Sequence, residues 1–173
     1  MKRQELTDSL PIKQITVLLA EDNANFRKSL KLLVELDRDI VVVGEARNGC
    51  EAVRLNKRLH PDVIVMDVAM PLLNGLEATR QILATYPATK VLILSSHSDP
   101  EYIEQAMVFG ASGYLLKQSS TDVLAQAIRE VSMGNACFST AISKELRDRC
   151  QKIFGQGGAP ASRIRLSGAL RLN

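Results

Sequence analysis

The stretch VIVMDVAMPLLNGLEATR, residues 63–80, joins two patterns that belong to different secondary structures. Its first four residues are apolar and mostly β-branched, which is typical of a buried strand, and Asp67 follows them directly. Asn74 and Gly75 then precede apolar residues at three- and four-residue spacing, which predict a helix over residues 76–85. A buried strand followed by an amphipathic helix is the repeating unit of a parallel sheet.

The same strand-and-helix unit recurs along most of the chain. Strands are predicted at residues 15–20, 40–44, 63–67, 91–95 and 113–116. Helices are predicted at residues 25–36, 49–59, 76–85, 100–109 and 121–133. Because this array is too short for a barrel, it predicts an α/β fold of the flavodoxin-like (βα)5 kind, a doubly wound parallel sheet with strand order 2-1-3-4-5.

The remaining segments divide the chain around this folded domain. Residues 1–13 are interpreted as an N-terminal extension and residues 14–135 as the domain itself. Helical spacing of apolar residues after Ser139 predicts a C-terminal linker helix within residues 136–154. From Gly155 the sequence GQGGAPAS indicates a connector, so residues 155–173 are expected to form a flexible basic tail.

Composition excludes several classes of protein. With 46% hydrophobic and 24% charged residues the balance is that of a globular domain, and no apolar run approaches the roughly 20 residues of a membrane span, so a cytoplasmic location is expected. The three cysteines form an odd, widely spaced set, which argues against a disulfide framework and a zinc site. The net charge of +3 is too small to imply nucleic-acid binding, and its basic excess lies in the tail, where solvated disorder is favoured over a DNA-binding remnant.

Polar side chains stand where the predicted strands end. Glu21 and Asp22 follow the first strand, Asp67 ends the third, Ser95 ends the fourth and Lys117 follows the fifth. Ligand-binding groups of open α/β sheets lie at the carboxyl ends of the strands, so these side chains are expected at one edge. Since the first and third strands are neighbours in the predicted order, the three acidic groups should form a cluster.

Three carboxylates held together repel one another unless a hard cation with oxygen ligands compensates their charge. Mg²⁺ is the natural candidate. It would take one oxygen each from Asp22 and Asp67, with Glu21 acting through water and the backbone carbonyl of Ala69 completing the site.

An aspartate beside a divalent ion, a lysine and a hydroxyl suits covalent capture of a phosphoryl group. Asp67 is then the nucleophile. Lys117 would pair with the phosphoryl group or the carboxylate, and Ser95 would hydrogen-bond a phosphoryl oxygen. Ser96 competes with Ser95 for that role, and strand alignment favours Ser95.

The pattern resembles the bacterial response-regulator receiver family over roughly residues 14–135. The resemblance is carried by LLAEDN (residues 18–23), VIVMDVAMPLLNGLEATR, VLILSSHSD (residues 91–99) and GASGYLLKQSS (residues 110–120). It implies that Asp67 is the phosphoacceptor, that Glu21 and Asp22 are the acidic metal pair, and that Ser95 and Lys117 are the switch hydroxyl and the family's lysine. Tyr114 matches the switch aromatic, although simple packing at the sheet edge, with its hydroxyl in water, is an equal alternative.

GASGYLLK and MGNACFSTAISKEL are closest to the NarL/FixJ-type subfamily, whose members usually add a LuxR-type helix-turn-helix domain. That domain is expected to be missing here, so DNA would be bound only through a domain absent from this chain. The resemblance further implies a sensor histidine kinase or small phosphodonor as partner, and a homodimer. Gln118 replaces the proline that follows the lysine in many relatives, and the sequence gives no support for a cis peptide there.

The leading hypothesis is a signalling receiver, which is not an enzyme in the ordinary sense. Three other functions are alternatives to it. A phosphatase of the haloacid-dehalogenase type needs a second aspartate two residues after the nucleophile, and Ala69 occupies that position. A flavin-binding protein needs a Gly-, Ser- or Thr-rich phosphate cradle after the first strand, where EDNANF stands. A phosphorylation-independent interaction module would keep the fold without the switch, and the intact acidic set argues against it.

Overall fold

The computed structural model describes residues 13–118, 121–156 and 164–167. Its strands are β1 Ile15–Ala20, β2 Ile40–Ala46, β3 Val63–Met66, β4 Lys90–Ser95, β5 Gly113–Leu116, β6 Ala136–Ser139 and β7 Ile164–Ser167. Its helices are α1 Ala24–Val34, α2 Gly49–Leu59, α3 Gly75–Thr85, α4 Pro100–Val108, α5 Thr121–Ser132 and α6 Lys144–Gln156. All five predicted strands and all five predicted helices of the domain are present.

The strands form one parallel sheet in the order β2-β1-β3-β4-β5-β6-β7. The flavodoxin-like order 2-1-3-4-5 predicted for the first five strands is therefore confirmed. Ala20 at the end of β1 is in register with Met66 at the end of β3, and Ile93 of β4 is also paired with Met66. The residues that follow these strands consequently emerge at the same level of one sheet edge.

Apolar side chains bury both faces of the sheet, as expected for a doubly wound fold. Helices α1 and α5 cover one face, where Leu30 and Val34 pack in the same cluster as Ile128 and Val131. Helices α2, α3, α4 and α6 cover the other face, with Ile82 of α3 and Ile103 of α4 in its cluster. The fold therefore has three layers, with a helical layer on each face of the sheet and an apolar cluster between each helical layer and the sheet.

Asparagine caps fix the start of three helices at the edge where the site lies. The side chain of Asn23 accepts hydrogen bonds from the backbone N–H groups of Asn25 and Phe26, and Asn48 and Asn74 cap α2 and α3 in the same way. Each asparagine satisfies backbone N–H groups of the first turn and so fixes where its helix begins.

The prediction of a linker helix over residues 136–154 is wrong at its start. Residues Ala136–Ser139 form the added strand β6, and the helix begins at Lys144 and ends at Gln156. Four apolar or small residues are too few to distinguish a strand from a helix by periodicity, and the neighbouring strand β5 decides the outcome. Within the predicted flexible tail, Ile164–Ser167 form β7, and residues 157–163 and 168–173 lie outside the described residues, as do residues 1–12 of the predicted extension.

The connection that leads to β6 differs from the others. Helix α5 crosses from β5 to β6 on the α1 face, whereas α3 and α4 make crossovers in the same direction on the opposite face. The β5–α5–β6 crossover therefore has the opposite hand to those two, and right-handed crossovers predominate strongly in parallel sheets. Gly113 permits the close approach of β6, since a Cβ atom there would lie 2.3 Å from the carbonyl oxygen of Cys137.

Candidate functional site

The predicted acidic cluster is present at the carboxyl edge of the sheet. Glu21 and Asp22 follow β1 and Asp67 follows β3, and a carboxylate oxygen of each lies within 4.8 Å of those of the other two. Glu21 and Asp67 are buried, with 2% and 4% of their surface exposed, whereas Asp22 is exposed. The cluster therefore opens to solvent on the Asp22 side.

Lys117 supplies the cation of the site. Its Nζ atom lies 2.7 Å from Oε2 of Glu21 and 3.1 Å from Oδ2 of Asp67, so one ammonium group bridges two buried carboxylates. Burial lowers the pKa of Lys117, but the hydrogen bond to Glu21 and the charge of Asp67 outweigh burial and raise the pKa above its ordinary value. Lys117 therefore stays charged at neutral pH.

Charge repulsion within the cluster is visible at Glu21. Burial raises the pKa of Glu21 above its ordinary value, the hydrogen bond from Lys117 lowers it, and the negative charge of Asp67 raises it again. One lysine thus compensates only part of the negative charge of three carboxylates. A hard divalent cation with oxygen ligands would supply the rest, and the closely spaced carboxylate oxygens, open to water at Asp22, suit such an ion.

The loop after Asp67 is built around a glycine. A Cβ atom at Gly75 would lie 1.8 Å from the carbonyl oxygen of Asp67, so no larger residue fits there without moving Asp67. The backbone N–H of Asp67 donates to the carbonyl of Ala20 at 2.9 Å, and that of Gly75 donates to Val68 at 2.9 Å. These contacts hold Asp67 between β1 and the start of α3. Ala69 lies exposed in this loop.

Sequence reasoning missed Arg27, which holds the backbone of the acidic pair, and the ion pairs that position it. The Nη1 atom of Arg27 donates to the backbone carbonyl of Glu21 at 2.6 Å, and its Nε atom lies 3.3 Å from Oε2 of Glu45. Lys31 pairs with the other oxygen of Glu45 at 3.0 Å. Arg27 lies six residues after Glu21, on the first turn of α1. The only signal for its role in the sequence is that this turn was predicted to lie next to the strand ends.

An aromatic ring also faces the lysine. The Nζ atom of Lys117 lies 4.8 Å from the centroid of the Phe26 ring, within the range of a cation–π contact. Phe26 is half-buried on the first turn of α1. The ring shields one side of the ammonium group from water and so strengthens its contacts with the carboxylates.

Ser95 and Tyr114 meet at the loop between β4 and α4. Both side chains are fully buried. The hydroxyl of Ser95 accepts a hydrogen bond from the backbone N–H of His97 at 3.1 Å, and the hydroxyl of Tyr114 donates to the carbonyl of His97 at 2.9 Å. The expectation that the Tyr114 hydroxyl could lie in water is therefore wrong, because the ring points inward and its hydroxyl has a protein partner. Ser96, the competing serine, is exposed.

A family model described as the response regulator receiver domain matches residues 17–129. The chain belongs to the response regulator receiver family. The predicted resemblance to this family, and to its NarL- and LuxR-type regulators, is confirmed by curated relatives and by solved structures.

Among the curated relatives, the transcriptional regulatory protein DegU of Brevibacillus brevis is 34% identical over 87% of this chain and 64% of its own length. The transcriptional regulatory protein LiaR of Bacillus subtilis is 38% identical over 78% of this chain and 64% of its own. The chain thus spans a little under two thirds of the length of these relatives, each of which is a transcriptional regulator by name.

A solved structure of a LuxR-family two-component response regulator from Aurantimonas is similar with a TM-score of 0.75 and 33% identity, over 79% of this chain and 97% of that one. The signal receiver domain of the NarL response regulator from Mycobacterium tuberculosis matches with a TM-score of 0.68 and 31% identity, over 71% and 99%. This chain is therefore a signalling receiver of a two-component response regulator, related to transcriptional regulators. Among the described helices, none has the length and apolarity that a bilayer crossing requires.

Proposed function

We propose that this receiver accepts a phosphoryl group on Asp67 in a reaction that depends on Mg²⁺. The observation that carries the proposal is the position of Lys117, whose ammonium group contacts both Glu21 and Asp67 inside the acidic cluster. Lys117 lies between two buried carboxylates and reduces the repulsion between them, so that one of them is free to attack a phosphorus atom. Its ammonium group also keeps a fixed positive charge at the place where the phosphoryl oxygens would arrive.

Glu21, Asp22 and Asp67, with the backbone carbonyl of Ala69, are the residues that would hold the ion. When bound, Mg²⁺ supplies charge neutralisation for the phosphoryl oxygens and brings the donor to the cluster. Arg27 fixes the backbone of the acidic pair through the carbonyl of Glu21. The proximity of Glu21, Asp22 and Asp67 and the contact with Lys117 support the proposal.

In the transfer, a carboxylate oxygen of Asp67 attacks the phosphorus atom of the donor. A bond forms between that oxygen and phosphorus, the bond from phosphorus to the donor's leaving group breaks, and the leaving group departs with the bonding electrons. Lys117 pairs with the phosphoryl oxygens as its contact with the free carboxylate is lost. The donor is a sensor histidine kinase or a small phosphodonor.

The phosphoryl group then acts as a switch through Ser95. The Ser95 hydroxyl can donate a hydrogen bond to a phosphoryl oxygen, and movement of this side chain toward Asp67 would loosen its contact with the N–H of His97, whose carbonyl also holds Tyr114. The loop before α4 thus has two alternative sets of contacts, and the phosphoryl group favours one of them. We infer that this changes the protein contacts of the receiver, including those of a homodimer, in the cytoplasm.

The names of the relatives indicate the output. We infer that the receiver controls transcription in a longer protein, where DNA is bound by a separate helix-turn-helix domain and not by residues of the receiver. The chain would then catalyse only its own phosphoryl transfer and dephosphorylation.

Incubation with acetyl phosphate and Mg²⁺, followed by intact-mass measurement, tests the proposal. We expect one added phosphoryl group in the wild type and none in Asp67→Asn. Asp148→Asn, which changes an exposed aspartate of α6, is the matched control and should be labelled as the wild type is. Equal labelling of the Asp67 variant would overturn the assignment, and no labelling of any variant would favour a phosphorylation-independent module.

A further inference from the structure

The backbone that carries the acidic pair is held by one arginine side chain. The carbonyl of Glu21 accepts a hydrogen bond from Nη1 of Arg27 at 2.6 Å, and the carbonyl of Asp22 lies 3.5 Å from the same nitrogen atom. These two carbonyls stand on either side of the Cα atom of Asp22. The guanidinium group of Arg27 therefore contacts the backbone both before and after this acidic residue.

The two acidic residues are held in place unequally. The carboxylate of Glu21 accepts from the N–H of Asn23 at 3.1 Å and lies 2.7 Å from Nζ of Lys117, and the N–H of Glu21 donates to the carbonyl of Ala46 at 3.0 Å. Asp22 is exposed, so packing does not fix its carboxylate. The conformation of the backbone around Asp22 consequently decides where that carboxylate lies.

Arg27 is itself fixed by an acidic residue of β2. Its side chain is only 12% exposed, and its Nε atom lies 3.3 Å from Oε2 of Glu45. Nζ of Lys31 lies 3.0 Å from the other carboxylate oxygen of Glu45. Both oxygens of Glu45 are thus paired, and the guanidinium group is held at one end while its Nη1 atom contacts the acidic pair at the other.

Loss of this contact would change the geometry of the pair. Glu21 is buried, and a buried carbonyl without a hydrogen-bond partner is unfavourable, so the peptide group between Glu21 and Asp22 would turn toward another partner. Because a peptide group is planar, such a turn rotates Asp22 relative to Glu21. The spacing of the carboxylate oxygens in the acidic cluster would change with it.

We propose that Arg27, anchored by Glu45, is a positioning residue that sets the affinity of the acidic cluster for Mg²⁺ by fixing the peptide group between Glu21 and Asp22. The inference rests on the proposed function, which assigns the ion to Glu21, Asp22 and Asp67. Arg27 supplies no ligand atom and acts through the backbone of residues that do.

The sign of the effect separates positioning from simple charge. Arg27 is a cation next to the acidic pair, and a cation there repels a divalent ion. If charge alone mattered, removing Arg27 would tighten the binding of Mg²⁺. If Arg27 positions the acidic pair, removing it weakens the binding.

Titration of the isotope-labelled full chain with Mg²⁺ alone, followed by the NMR shifts of backbone amides at the site, measures the affinity. We expect Arg27→Met to bind Mg²⁺ roughly tenfold more weakly than the wild type, the range found when a residue that orients metal ligands is removed. Equal or tighter binding by Arg27→Met would overturn the inference.

Arg47→Met is the matched control. Arg47 also follows β2 closely, but its side chain is 71% exposed and pairs with Glu51 of α2. Its removal takes away a cation without touching the backbone of the acidic pair, so the affinity for Mg²⁺ should stay at the wild-type value or rise slightly. A loss of affinity as large as that of Arg27→Met would contradict a specific role for Arg27.

Two further variants keep or balance the charge. Arg27→Lys retains the positive charge but cannot span Glu45 and the carbonyl of Glu21 as a planar guanidinium does, so it should also bind Mg²⁺ more weakly. The double variant Arg27→Met/Glu45→Gln removes one cation and one anion. We expect its affinity to equal that of Arg27→Met, since Glu45 acts through Arg27, whereas charge alone predicts a return toward the wild-type value.

The dependence of labelling on Mg²⁺ distinguishes positioning from general damage to the fold. The rate at which acetyl phosphate labels Asp67 should fall in Arg27→Met at low Mg²⁺ and approach the wild-type rate at saturating Mg²⁺. A rate reduced by the same factor at every Mg²⁺ concentration would overturn the inference. If Arg27→Met does not fold, Arg27→Lys decides the question, and wild-type affinity in that variant overturns the inference.

The same measurements separate this inference from the proposed function. Saturable binding of Mg²⁺ and labelling of Asp67 in the wild type, with unchanged affinity in the Arg27 variants, would overturn the inference alone. Absence of Mg²⁺ binding at the acidic cluster of the folded wild type would overturn both. Mg²⁺ binding that depends on Arg27, without labelling of Asp67, would support the inference and overturn the proposed phosphoryl transfer.

Discussion

The Nζ atom of Lys117 lies 3.1 Å from Oδ2 of Asp67, although β4 separates the strands that these residues follow. The lysine reaches across the end of β4 because its backbone N–H is held by the carbonyl of Ser95 at 2.8 Å. The same ammonium group contacts Glu21. Among the described residues, Lys117 is the cation that contacts both buried carboxylates, and its replacement should change stability in a way that depends on pH.

Replacing Lys117 by methionine leaves two buried carboxylates without their cation. We expect Lys117→Met to lower the free energy of unfolding by about 2 kcal/mol at neutral pH. The pKa of Glu21 is already raised by burial, and it rises further in the variant, so acid protonates Glu21 and removes most of the penalty. Urea denaturation at about pH 7.5 and about pH 5 should show the larger loss at the higher pH.

Lys31→Met is the control for this experiment, since Lys31 pairs with Glu45 on the partly exposed side of α1. Lys31→Met should lower the free energy of unfolding only slightly, and by an amount that does not depend on whether Glu21 is protonated. A loss for Lys117→Met of the same size at both pH values would mean that the lysine stabilises by packing and not by charge.

Gly75→Ala should displace the phosphoacceptor. The added Cβ atom would lie 1.8 Å from the carbonyl oxygen of Asp67, so the loop must move. We expect a loss of about 3 kcal/mol in stability and a large loss of labelling by acetyl phosphate. Gly134→Ala is the matched control, because Gly134 has a φ of +87° but open space around its Cα, and it should cost only about 1 kcal/mol without affecting labelling. Normal labelling of Gly75→Ala would contradict the close approach.

Ser95→Ala should separate phosphorylation from its consequence. The variant keeps Asp67 and Lys117 but loses the hydroxyl that accepts from the N–H of His97, at a cost of about 1 kcal/mol. Labelling by acetyl phosphate should persist, while the NMR shift changes of His97 and Tyr114 on beryllofluoride binding should shrink. Ser96→Ala, at the exposed neighbour, should leave those changes intact, and the reverse result would transfer the role to Ser96.

The sequence predicted the central sheet and the candidate site because both follow from short local patterns. Each strand is a nearly continuous apolar run, and Glu21, Asp67 and Lys117 come directly after three of them. In a parallel sheet, position at a strand end is enough to place residues together, even when they are far apart in sequence. The strand order alone was therefore enough to predict that these side chains lie close together.

Strand β6 and the role of Arg27 were not predicted, because both depend on tertiary contacts that local sequence patterns do not indicate. Strand β6 has four residues, and it forms because Phe138 pairs in register with Tyr114 next to it. Arg27 carries no signal beyond being one more basic residue on an amphipathic helix, and its role arises from the distance between its guanidinium and the carbonyl of Glu21. Both cases are tertiary contacts between residues whose local sequences permit several structures.

The ion pair between Asp39 and Arg129 should contribute to stability in a pH-dependent way. Arg129 donates to both oxygens of Asp39, at 2.7 and 2.8 Å, and this hydrogen bonding lowers the pKa of Asp39. A carboxyl group with a lowered folded-state pKa stabilises the fold above its unfolded pKa, and the contribution disappears as the pH falls through the folded value.

Asp39→Asn should therefore lose roughly 0.5–1 kcal/mol at neutral pH, as expected for a partly exposed pair, and nothing in strong acid. Urea denaturation of the variant and the wild type from pH about 7 to about 2 measures the difference. For Asp148→Asn, on the exposed side of α6, the difference in free energy of unfolding from the wild type should not change in this way with pH. A difference that stays constant over the whole range would exclude titration of Asp39 as the cause.

Leu72 is the strained residue of the loop that follows Asp67. Its φ of +67° lies in the left-handed region, which is unfavourable for a residue with a branched side chain, and 86% of its surface is exposed. The loop holds it there, because the carbonyl of Leu73 accepts the N–H of Gly49 at 2.9 Å and Gly75 bonds to Val68. The strain therefore comes from neighbouring contacts and not from any packing of the Leu72 side chain.

Leu72→Asn should consequently raise the free energy of unfolding by about 0.5–1 kcal/mol, since asparagine tolerates the left-handed conformation. Leu36→Asn changes a similarly exposed leucine whose φ is negative, and it should leave stability nearly unchanged. Labelling by acetyl phosphate should be equal in the wild type and Leu72→Asn, because a small donor does not need the exposed side chain. A stabilisation of equal size in both variants would show that removing exposed apolar surface, and not relief of backbone strain, is the cause.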